Sequence, residues 1–278
     1  MEEKIGLVDT HCHLDAAEFD ADRDAVFAAA KVSPGGTAPI LDTIVVPAIE
    51  RANFGTVSSI CRDYPGCVPA YGIHPMYVDH ARPEDLDVLC ETLQREPAVA
   101  VGEIGLDRHV EPRDDERQMF YFTEQLKIAR AFDLPVLLHV RKAIDPILKC
   151  LRETRVAGAM GGIAHAFNGS REQAEAFIKL GFKLGFGGAM TFERSKRIRE
   201  LAATLPLDSI VLETDAPDIP PAWKNGGRNT PADLLPIAET LAKLRHLSLA
   251  EVAAATTQNA RAVLPRLNNL KPITGENP

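Results

Sequence analysis

Two histidines close to the amino terminus, His11 and His13, have the spacing of a metal-binding pair. They belong to the run Asp9-Thr10-His11-Cys12-His13, which directly follows the apolar residues 5–8. Because side chains alternate along a strand, a strand that ends here would place both imidazoles on one face, where they can bind the same cation. Such a pair also occurs as ordinary polar packing, so it predicts a metal site only together with further ligands.

Other histidines and carboxylates also follow short apolar runs. Those that could take part in metal-assisted chemistry are His74, Glu103, His139, His165 and Asp215. Taken singly, each has an ordinary interpretation, because a histidine can be hydrogen-bonded packing and an acidic residue can cap a helix or begin a turn. Their joint occurrence favours a shared site if the fold brings the ends of these runs together.

Eight apolar runs alternate with helix-like segments along the chain. The runs are residues 5–8, 43–46, 68–71, 99–101, 136–138, 162–164, 183–185 and 210–212, and the clearest helical patterns are at 20–31, 83–94, 114–132, 170–180, 195–205 and 248–264. Alternation of this kind indicates parallel βαβ units, and eight repeats in 278 residues predict an α/β fold, the TIM (β/α)8 barrel. We expect a single domain over residues 1–278, with a core at about 5–264 and a flexible tail at 265–278.

In such a barrel the carboxyl ends of the strands meet at one face, so the predicted ligands would converge there. Six candidate ligands result: His11, His13, Glu103, His139, His165 and Asp215. A mononuclear catalytic zinc site uses three protein ligands, so six ligands predict two divalent cations about 3.5–4 Å apart, with Glu103 as the bridge. Imidazoles favour zinc while carboxylates admit magnesium and manganese, and the mixed set leaves all three metals open.

Composition and charge narrow the possible partners. A net charge of −8 argues against a broad binding surface for a nucleic-acid duplex, although a narrow basic or metal-lined cleft stays compatible with it. The five cysteines form no C-x-x-C pair, the amino terminus lacks a signal-peptide pattern, and no apolar run reaches the length of a membrane span. We therefore expect a cytoplasmic monomer that has neither a membrane contact nor an obligate protein partner.

Together, the polar motifs resemble the TatD family of metal-dependent hydrolases, within the amidohydrolase-like superfamily, and its YjjV-like members in particular. The motifs are DTHCH (9–13), GIHP (72–75), GEIGLD (102–107), HVR (139–141), HAFNG (165–169), LETDAP (212–217), RNTP (228–231) and TQNAR (257–261). The resemblance spans residues 5 to about 264. It implies one metal held by His11, His13, Glu103 and Asp215, and a second held by Glu103, His139 and His165.

The resemblance also implies an activity, that of a divalent-metal-dependent deoxyribonuclease, which is a hydrolase acting on ester bonds. Members of the family often remove nucleotides from the 3′ end of single-stranded DNA, so DNA is the expected substrate. We expect Glu103 and Asp215 to act in catalysis by a metal-activated water, with Asp215 as the base. We expect His74 to hydrogen-bond a phosphate oxygen or to protonate the leaving group. Arg141 and Arg228 are candidate phosphate-binding residues, or else members of surface salt bridges.

Two positions depart from the family pattern, and both concern substrate contacts rather than metal ligands. Met76 follows His74-Pro75 where many members have a second histidine, and Arg108 follows Gly-Leu-Asp where a tyrosine is usual. The basic segment 194–199 carries four positive charges and could lie along a DNA backbone or on a solvated helix. Phe192 and Trp223 are candidate stacking surfaces for a base, or loop packing.

Several other functions stay compatible with the same residues. A dinuclear centre can hydrolyse a small ester, an amide or a lactone, or misacylated transfer RNA, because polarised carbonyl and phosphoryl groups make similar demands on metals. A metal-bound module without catalytic activity is a further alternative. By resemblance, a glutamate at the bridging position, rather than the carbamylated lysine of many related amidohydrolases, favours phosphodiester hydrolysis.

Overall fold

Within residues 6–32, 40–154 and 161–269, which the computed structural model describes, eight parallel strands form one sheet. Each strand pairs with the next along the chain, from β1 to β8. They are β1 (Gly6–Asp9), β2 (Ile40–Pro47), β3 (Cys67–Tyr71), β4 (Ala100–Asp107), β5 (Val136–Arg141), β6 (Gly162–Ala164), β7 (Phe182–Phe186) and β8 (Ile210–Leu212). The predicted α/β barrel is thereby confirmed; residue 5, the expected start of the first strand, lies outside the described residues.

The first and last strands meet just beyond their carboxyl ends. The backbone N–H and the hydroxyl of Thr10 both donate to the carbonyl of Leu212, each over 3.0 Å. One step further, the N–H of Asp215 donates to the carbonyl of His11 over 2.8 Å. These bonds close the sheet into a barrel, and they do so at the two segments that carry predicted ligands.

Helices follow the strands and cover the outside of the barrel. Those in the described residues are α1 (Arg23–Ala30), α2 (Phe54–Asp63), α3 (Asp85–Arg95), α4 (Asp115–Ala131), α5 (Ile144–Thr154), α6 (Arg171–Lys179), α7 (Lys196–Thr204), α8 (Leu234–Arg245) and α9 (Leu249–Val263). Ser170 and Ser248 cap the N-termini of α6 and α9 in reciprocal capping boxes: their backbone N–H groups donate to the side chains of Gln173 and Glu251, whose own N–H groups donate to the serine hydroxyls. The alternation predicted from the sequence is confirmed.

The barrel interior is filled by aliphatic side chains, most of them β-branched, at alternate strand positions. They include Val8, Val45, Val68, Leu137, Ile163 and Val211. The end of α9 packs into the same cluster through Val263 and Leu264 and so covers the end of the barrel opposite the predicted site. The site therefore stands on a packed floor, with access from one side only.

The first five residues of the expected flexible tail are packed against the barrel. Pro265–Asn269 forms a short 3-10 helix in which Leu267 is buried. Arg266 fixes this turn, because its Nη1 donates to the carbonyl of Ala98 over 2.8 Å. The remainder of the expected tail lies outside the described residues. None of the helices in the described parts of the chain is both long and apolar enough to cross a membrane.

Candidate metal centre

The six ligands predicted from the sequence lie together at the carboxyl-terminal end of the barrel. They are His11 and His13 after β1, Glu103 in β4, His139 in β5, His165 after β6 and Asp215 after β8. Candidate ligand atoms lie within 4.8 Å of one another in three groups: His11, Glu103 and His165; His11, His13 and Asp215; and His74, Glu103 and His139. The fold thus brings together residues separated by as many as 204 positions, because the strands that carry or precede them open onto the same face of the barrel.

The Glu103 carboxylate lies at the middle of the cluster and divides its oxygens between two sets of histidines. Oε2 is 3.1 Å from Nε2 of His11 and 3.5 Å from Nε2 of His13. Oε1 is 2.9 Å from Nδ1 of His139 and 3.8 Å from Nε2 of His165. Glu103 is only 2% exposed. This division is what a carboxylate bridging two cations requires.

Backbone geometry at β4 explains how Glu103 reaches this position. The ladder between β4 and β5 is irregular between Val101 and Ile104, and the N–H of Glu103 donates instead to the carbonyl of Ala48 over 3.0 Å. A break in the ladder re-aims the side chain that lies in it. Glu103 is directed into the barrel mouth as a result.

Asp215 joins the first set of ligands from the opposite strand end. Its Oδ1 is 3.7 Å from Nε2 of each of His11, His13 and His165. Asp215 has a left-handed backbone conformation with φ of 60°. This conformation is costly for residues other than glycine, and the surrounding hydrogen bonds hold Asp215 in it. The carboxylate is thereby fixed where three imidazoles converge.

Two further carboxylates orient the histidines from behind. Oδ2 of Asp107 lies 2.9 Å from Nε2 of His139, and Oε1 of Glu213 lies 3.2 Å from Nδ1 of His165. Glu213 fits there because Gly185 faces it without a side chain: a Cβ at that position would lie 2.1 Å from Glu213 Oε2. Carboxylates in this position fix the tautomer and the direction of a metal-binding imidazole.

His74, the predicted rim residue, also reaches the cluster, with Nε2 3.5 Å from Oε1 of Glu103. Its Nδ1 accepts a hydrogen bond from the N–H of Met76 over 3.1 Å. A neutral imidazole whose Nδ1 accepts must carry its proton on Nε2, so the nitrogen that faces the cluster is a donor. Burial lowers the pKa of His74 to about 4, with His139 adding to the effect, which keeps the ring neutral. This fits the role predicted for His74 better than a role as ligand.

The charges of the cluster fit cations. In the described residues no lysine or arginine pairs with Glu103 or Asp215, and only histidines face them. Burial lowers the pKa of His13, but the Glu103 and Asp215 carboxylates outweigh it and raise the pKa to about 9. Burial raises the pKa of Asp215 to about 6. The raised pKa values mean that these side chains hold protons, which a bound cation would displace. The nitrogen and oxygen donors of the site suit zinc, manganese or magnesium.

A cleft of about 1050 Å³ opens above the cluster, and Arg141 lines it. The Arg141 guanidinium has no hydrogen-bond or ion-pair partner among the residues that the structure describes. Arg228 does not line the cleft, contrary to the prediction that it binds phosphate. Its Nη1 and Nη2 bind the Asp22 carboxylate over 3.0 and 2.6 Å, and the guanidinium lies over the Phe19 ring. The salt-bridge alternative therefore applies to Arg228.

The basic segment 194–199 only partly reaches the cleft. Arg197 lines it and donates to Oδ1 of Asn168 over 2.8 Å. Arg199 donates to the carbonyl of Met190 instead, and Arg194 lies over the Phe192 ring. Trp223 donates to Asp233 and does not line the cleft. Among the positively charged residues of this segment, Arg197 is the one that lines the cleft.

The sequence profile of the family described as TatD related DNase matches residues 8–265. The chain belongs to the TatD family. It is 38% identical to an Escherichia coli TatD relative named as the uncharacterized metal-dependent hydrolase YjjV, over 91% of this chain and 95% of the relative. It is 32% identical to human deoxyribonuclease TATDN3, over 96% of this chain and 97% of that protein. The crystal structure of the E. coli TatD homologue YjjV superposes with a TM-score of 0.87 at 36% identity, covering 95% of this chain and 99% of that one.

Membership of the TatD family makes this chain a metal-dependent hydrolase of the class that acts on ester bonds. Sequence reasoning did not assign roles to Asp107 and Glu213, although both stand inside the TatD motifs. The available signal was their position: each is a carboxylate at the end of a strand, within a few residues of a predicted ligand. Which ring nitrogen each one faces is decided by the loop backbone.

Proposed function

We propose that this TatD-family chain is a deoxyribonuclease that hydrolyses phosphodiester bonds at a dinuclear metal centre and removes nucleotides from the 3′ end of single-stranded DNA. The observation that carries the proposal is the division of the Glu103 oxygens between His11 and His13 on one side and His139 and His165 on the other. A bridging carboxylate between two sets of imidazoles is the arrangement of two-metal hydrolases.

In this proposal His11, His13, Glu103 and Asp215 hold one cation, and Glu103, His139 and His165 hold the other. Bound divalent cations would lower the pKa of water and neutralise charge on a phosphoryl group. The chain supplies the geometry: Asp107 and Glu213 fix the imidazoles of His139 and His165 before substrate arrives.

Two side chains of the site are placed to act on an attacking water and on a phosphate group. Asp215 presents Oδ1 to the space between the histidines and accepts the proton of the attacking water. His74 carries its single proton on Nε2, at the edge of the cluster, and a neutral imidazole can donate a hydrogen bond from there to a phosphate oxygen. Asp215 is thus placed to accept a proton, and His74 is placed to hold the phosphate.

The cleft supports a phosphodiester as the substrate rather than a small neutral ester. Arg141 and Lys142 line the cleft, and neither has an ion-pair partner in the described part of the chain. Free cations beside a hydrolytic centre favour binding of phosphates that flank the scissile bond. The name of the human relative, a deoxyribonuclease, agrees with this choice. A monomer in the cytoplasm stays a prediction from the sequence.

The test is release of labelled nucleotide from 3′-labelled single-stranded DNA in the presence of Mg²⁺, Mn²⁺ or Zn²⁺. We expect metal-dependent release by the unaltered chain and a loss of at least about 100-fold in the Asp215→Asn variant. Release that does not exceed that of the variant with any of the three metals would overturn the nuclease proposal. Hydrolysis of a small ester, a lactone or an aminoacyl-RNA by the same preparations would then identify the alternative.

A further inference from the structure

The cleft above the metal centre has side chains of opposite charge on its two sides. Since the eight strands follow one another around the barrel, the loop after β1 lies across the mouth from the loop after β5. Arg197 belongs to α7, after β7, and its guanidinium reaches Asn168 in the loop after β6. The charged side chains that line the first side are Asp15, Glu18 and Asp218, and those that line the second are Arg141, Lys142 and Arg197. We call them the acidic side and the basic side.

The carboxylates of the acidic side have no ion-pair partners within the described residues. Glu18 and Asp218 are exposed, and in the described residues neither carboxylate has an ion-pair partner. Oδ2 of Asp15 accepts a hydrogen bond from Asn53 over 2.9 Å, whereas its Oδ1 is buried and has no hydrogen-bond partner in the described part of the chain. Three carboxylates therefore border this part of the cleft without a cation of their own.

Two arginines stand near the acidic side, but both are already bound. Arg228 pairs with Asp22 through two nitrogens. Arg23 pairs with Asp20 over 2.6 Å and donates to the carbonyl of Leu14 over 2.8 Å. Their charges are therefore compensated by acidic residues outside the cleft.

Tyr77 and Met76 give the acidic side a partly apolar surface. Met76 is 48% exposed, and both residues line the cleft. The pKa of Tyr77 is raised first by burial and then by the nearby negative charges of Glu50, Asp218, Glu18 and Asp15. An apolar surface in a negative field suits an uncharged aromatic group such as a nucleobase and disfavours a phosphate.

The basic side has the opposite character. Arg141 and Lys142 directly follow His139 and Val140, and both are exposed without an ion-pair partner in the parts of the chain described here. Arg197 adds a third positive charge, which its hydrogen bond to Asn168 leaves unneutralised. Phosphates of a strand that leaves the metal centre in this direction would meet successive cations.

We propose that this division of charge makes the chain specific for an uncapped hydroxyl end of a single strand. The terminal nucleoside occupies the acidic side, the rest of the strand runs over the basic side, and a terminal phosphate is repelled by Asp15, Glu18 and Asp218. The inference rests on the proposed function, since it names the form of DNA end that the nuclease takes. It also explains why cleavage proceeds from an end: a strand continuing across the acidic side would place its phosphates against carboxylates.

Binding tests the inference separately from hydrolysis. In the Asp215→Asn background with Mn²⁺, fluorescence anisotropy compares one 5′-labelled single-stranded oligonucleotide that ends in a 3′-hydroxyl or in a 3′-phosphate. We expect the oligonucleotide that ends in a 3′-phosphate to bind about tenfold more weakly than the one that ends in a 3′-hydroxyl. This ratio of dissociation constants corresponds to modest repulsion by partly solvated carboxylates. The ratio should fall as ionic strength rises, because salt screens the repulsion.

Substitutions then assign the effect to the acidic side. Adding Glu18→Gln and Asp218→Asn should reduce the ratio to about threefold or less, since two of the three repelling charges are gone. The matched control, Glu91→Gln with Glu175→Gln, removes the same number of charges from the outer faces of α3 and α6 and should retain the tenfold ratio. A ratio that is unchanged by the first pair, or reduced equally by the control pair, would overturn the assignment.

The unaltered chain supplies the comparison with catalysis. Equal binding and equal cleavage of the two ends by an active nuclease would contradict the inference and leave the proposed function intact. Discrimination in binding without metal-dependent nucleotide release would support the inference and contradict the proposed function. Failure to bind either oligonucleotide would overturn both.

Discussion

Oδ2 of Asp107 lies 2.9 Å from Nε2 of His139, and the same imidazole presents Nδ1 to Oε1 of Glu103 over 2.9 Å. The ring is thus held between the Asp107 carboxylate on one side and the Glu103 carboxylate on the other. Asp107 is fixed in turn, because its Oδ1 accepts from the N–H groups of His109 and Val110. With a proton on Nε2, Nδ1 would be free to bind a cation together with Glu103.

Asp107→Asn should therefore weaken metal binding without unfolding the protein. The amide keeps the size of the side chain but loses the charge that raises the basicity of His139. We expect a loss of about 10- to 100-fold in metal affinity or in activity, measured by isothermal titration with Mn²⁺ and by kcat. Asp63→Asn, at the exposed end of α2, is the control and should change neither. If the metal affinity of Asp107→Asn were unchanged, the contact between Asp107 and His139 would have no part in orienting the imidazole for metal binding.

Glu103→Gln tests the proposed role of Glu103 as a bridge between two metals. An amide cannot supply a negatively charged oxygen to each of two cations, so one or both metals should be lost. After dialysis against metal-free buffer, elemental analysis should give fewer metals per chain than the unaltered protein, and activity should fall by at least about 100-fold. Glu91→Gln serves as the charge-matched control. Retention of the full metal content by Glu103→Gln would contradict a bridging role.

Arg141 and Arg228 should differ in their effect on DNA binding, although sequence patterns predict the same role for both. Arg141 faces the cleft without a partner, so Arg141→Gln should raise KM for single-stranded DNA and lower the salt dependence of binding by about one phosphate contact. Arg228 is bound to Asp22, so Arg228→Gln should leave KM within about twofold, since it removes no phosphate contact. Titrations at several salt concentrations would check this, and equal salt slopes for the two variants would argue against it.

Asn229 positions the segment that carries Asp215. Its Nδ2 donates to the carbonyls of Thr214 and Asp218 over 2.7 and 2.8 Å, and the residue is fully buried. Asn229→Ala would leave these carbonyls without their donor, at a cost of about 2–3 kcal/mol in the free energy of unfolding. We also expect metal affinity to fall, because the Asp215 carboxylate loses its fixed position.

Asn259 offers a matched control for that prediction at the other end of β8. It donates from Nδ2 to the carbonyls of Leu207 and Ile210 over 2.7 and 2.8 Å. Asn259→Ala should destabilise the protein comparably, as followed by urea unfolding, and leave metal affinity unchanged. If both variants lose metal affinity in proportion to their stability, Asn229 has no separate positioning role.

The ligand positions could be predicted from the sequence because a strand end is a local pattern and a barrel gathers all its strand ends at one face. His11, His139 and Asp215 each follow or end an apolar run, so knowledge of side-chain contacts was unnecessary. Arg228 could not be placed in this way, since its partner Asp22 lies 206 residues away and the pairing exists only in the folded chain. The packed turn at Pro265–Asn269 could not be predicted for the same reason. Leu267 is buried by residues that become its neighbours only in the folded chain.

The hydrogen bond from the N–H of Asp215 to the carbonyl of His11 has a consequence for the synthesis of the protein. This bond joins the segments that follow the first and the last strand of the barrel. Its two residues belong to one candidate ligand group, His11, His13 and Asp215. A nascent chain therefore has no complete site until its eighth strand has been made and docked beside the first. The ligand group that contains both residues is assembled last, so a truncated product that ends before β8 lacks part of the site from the outset.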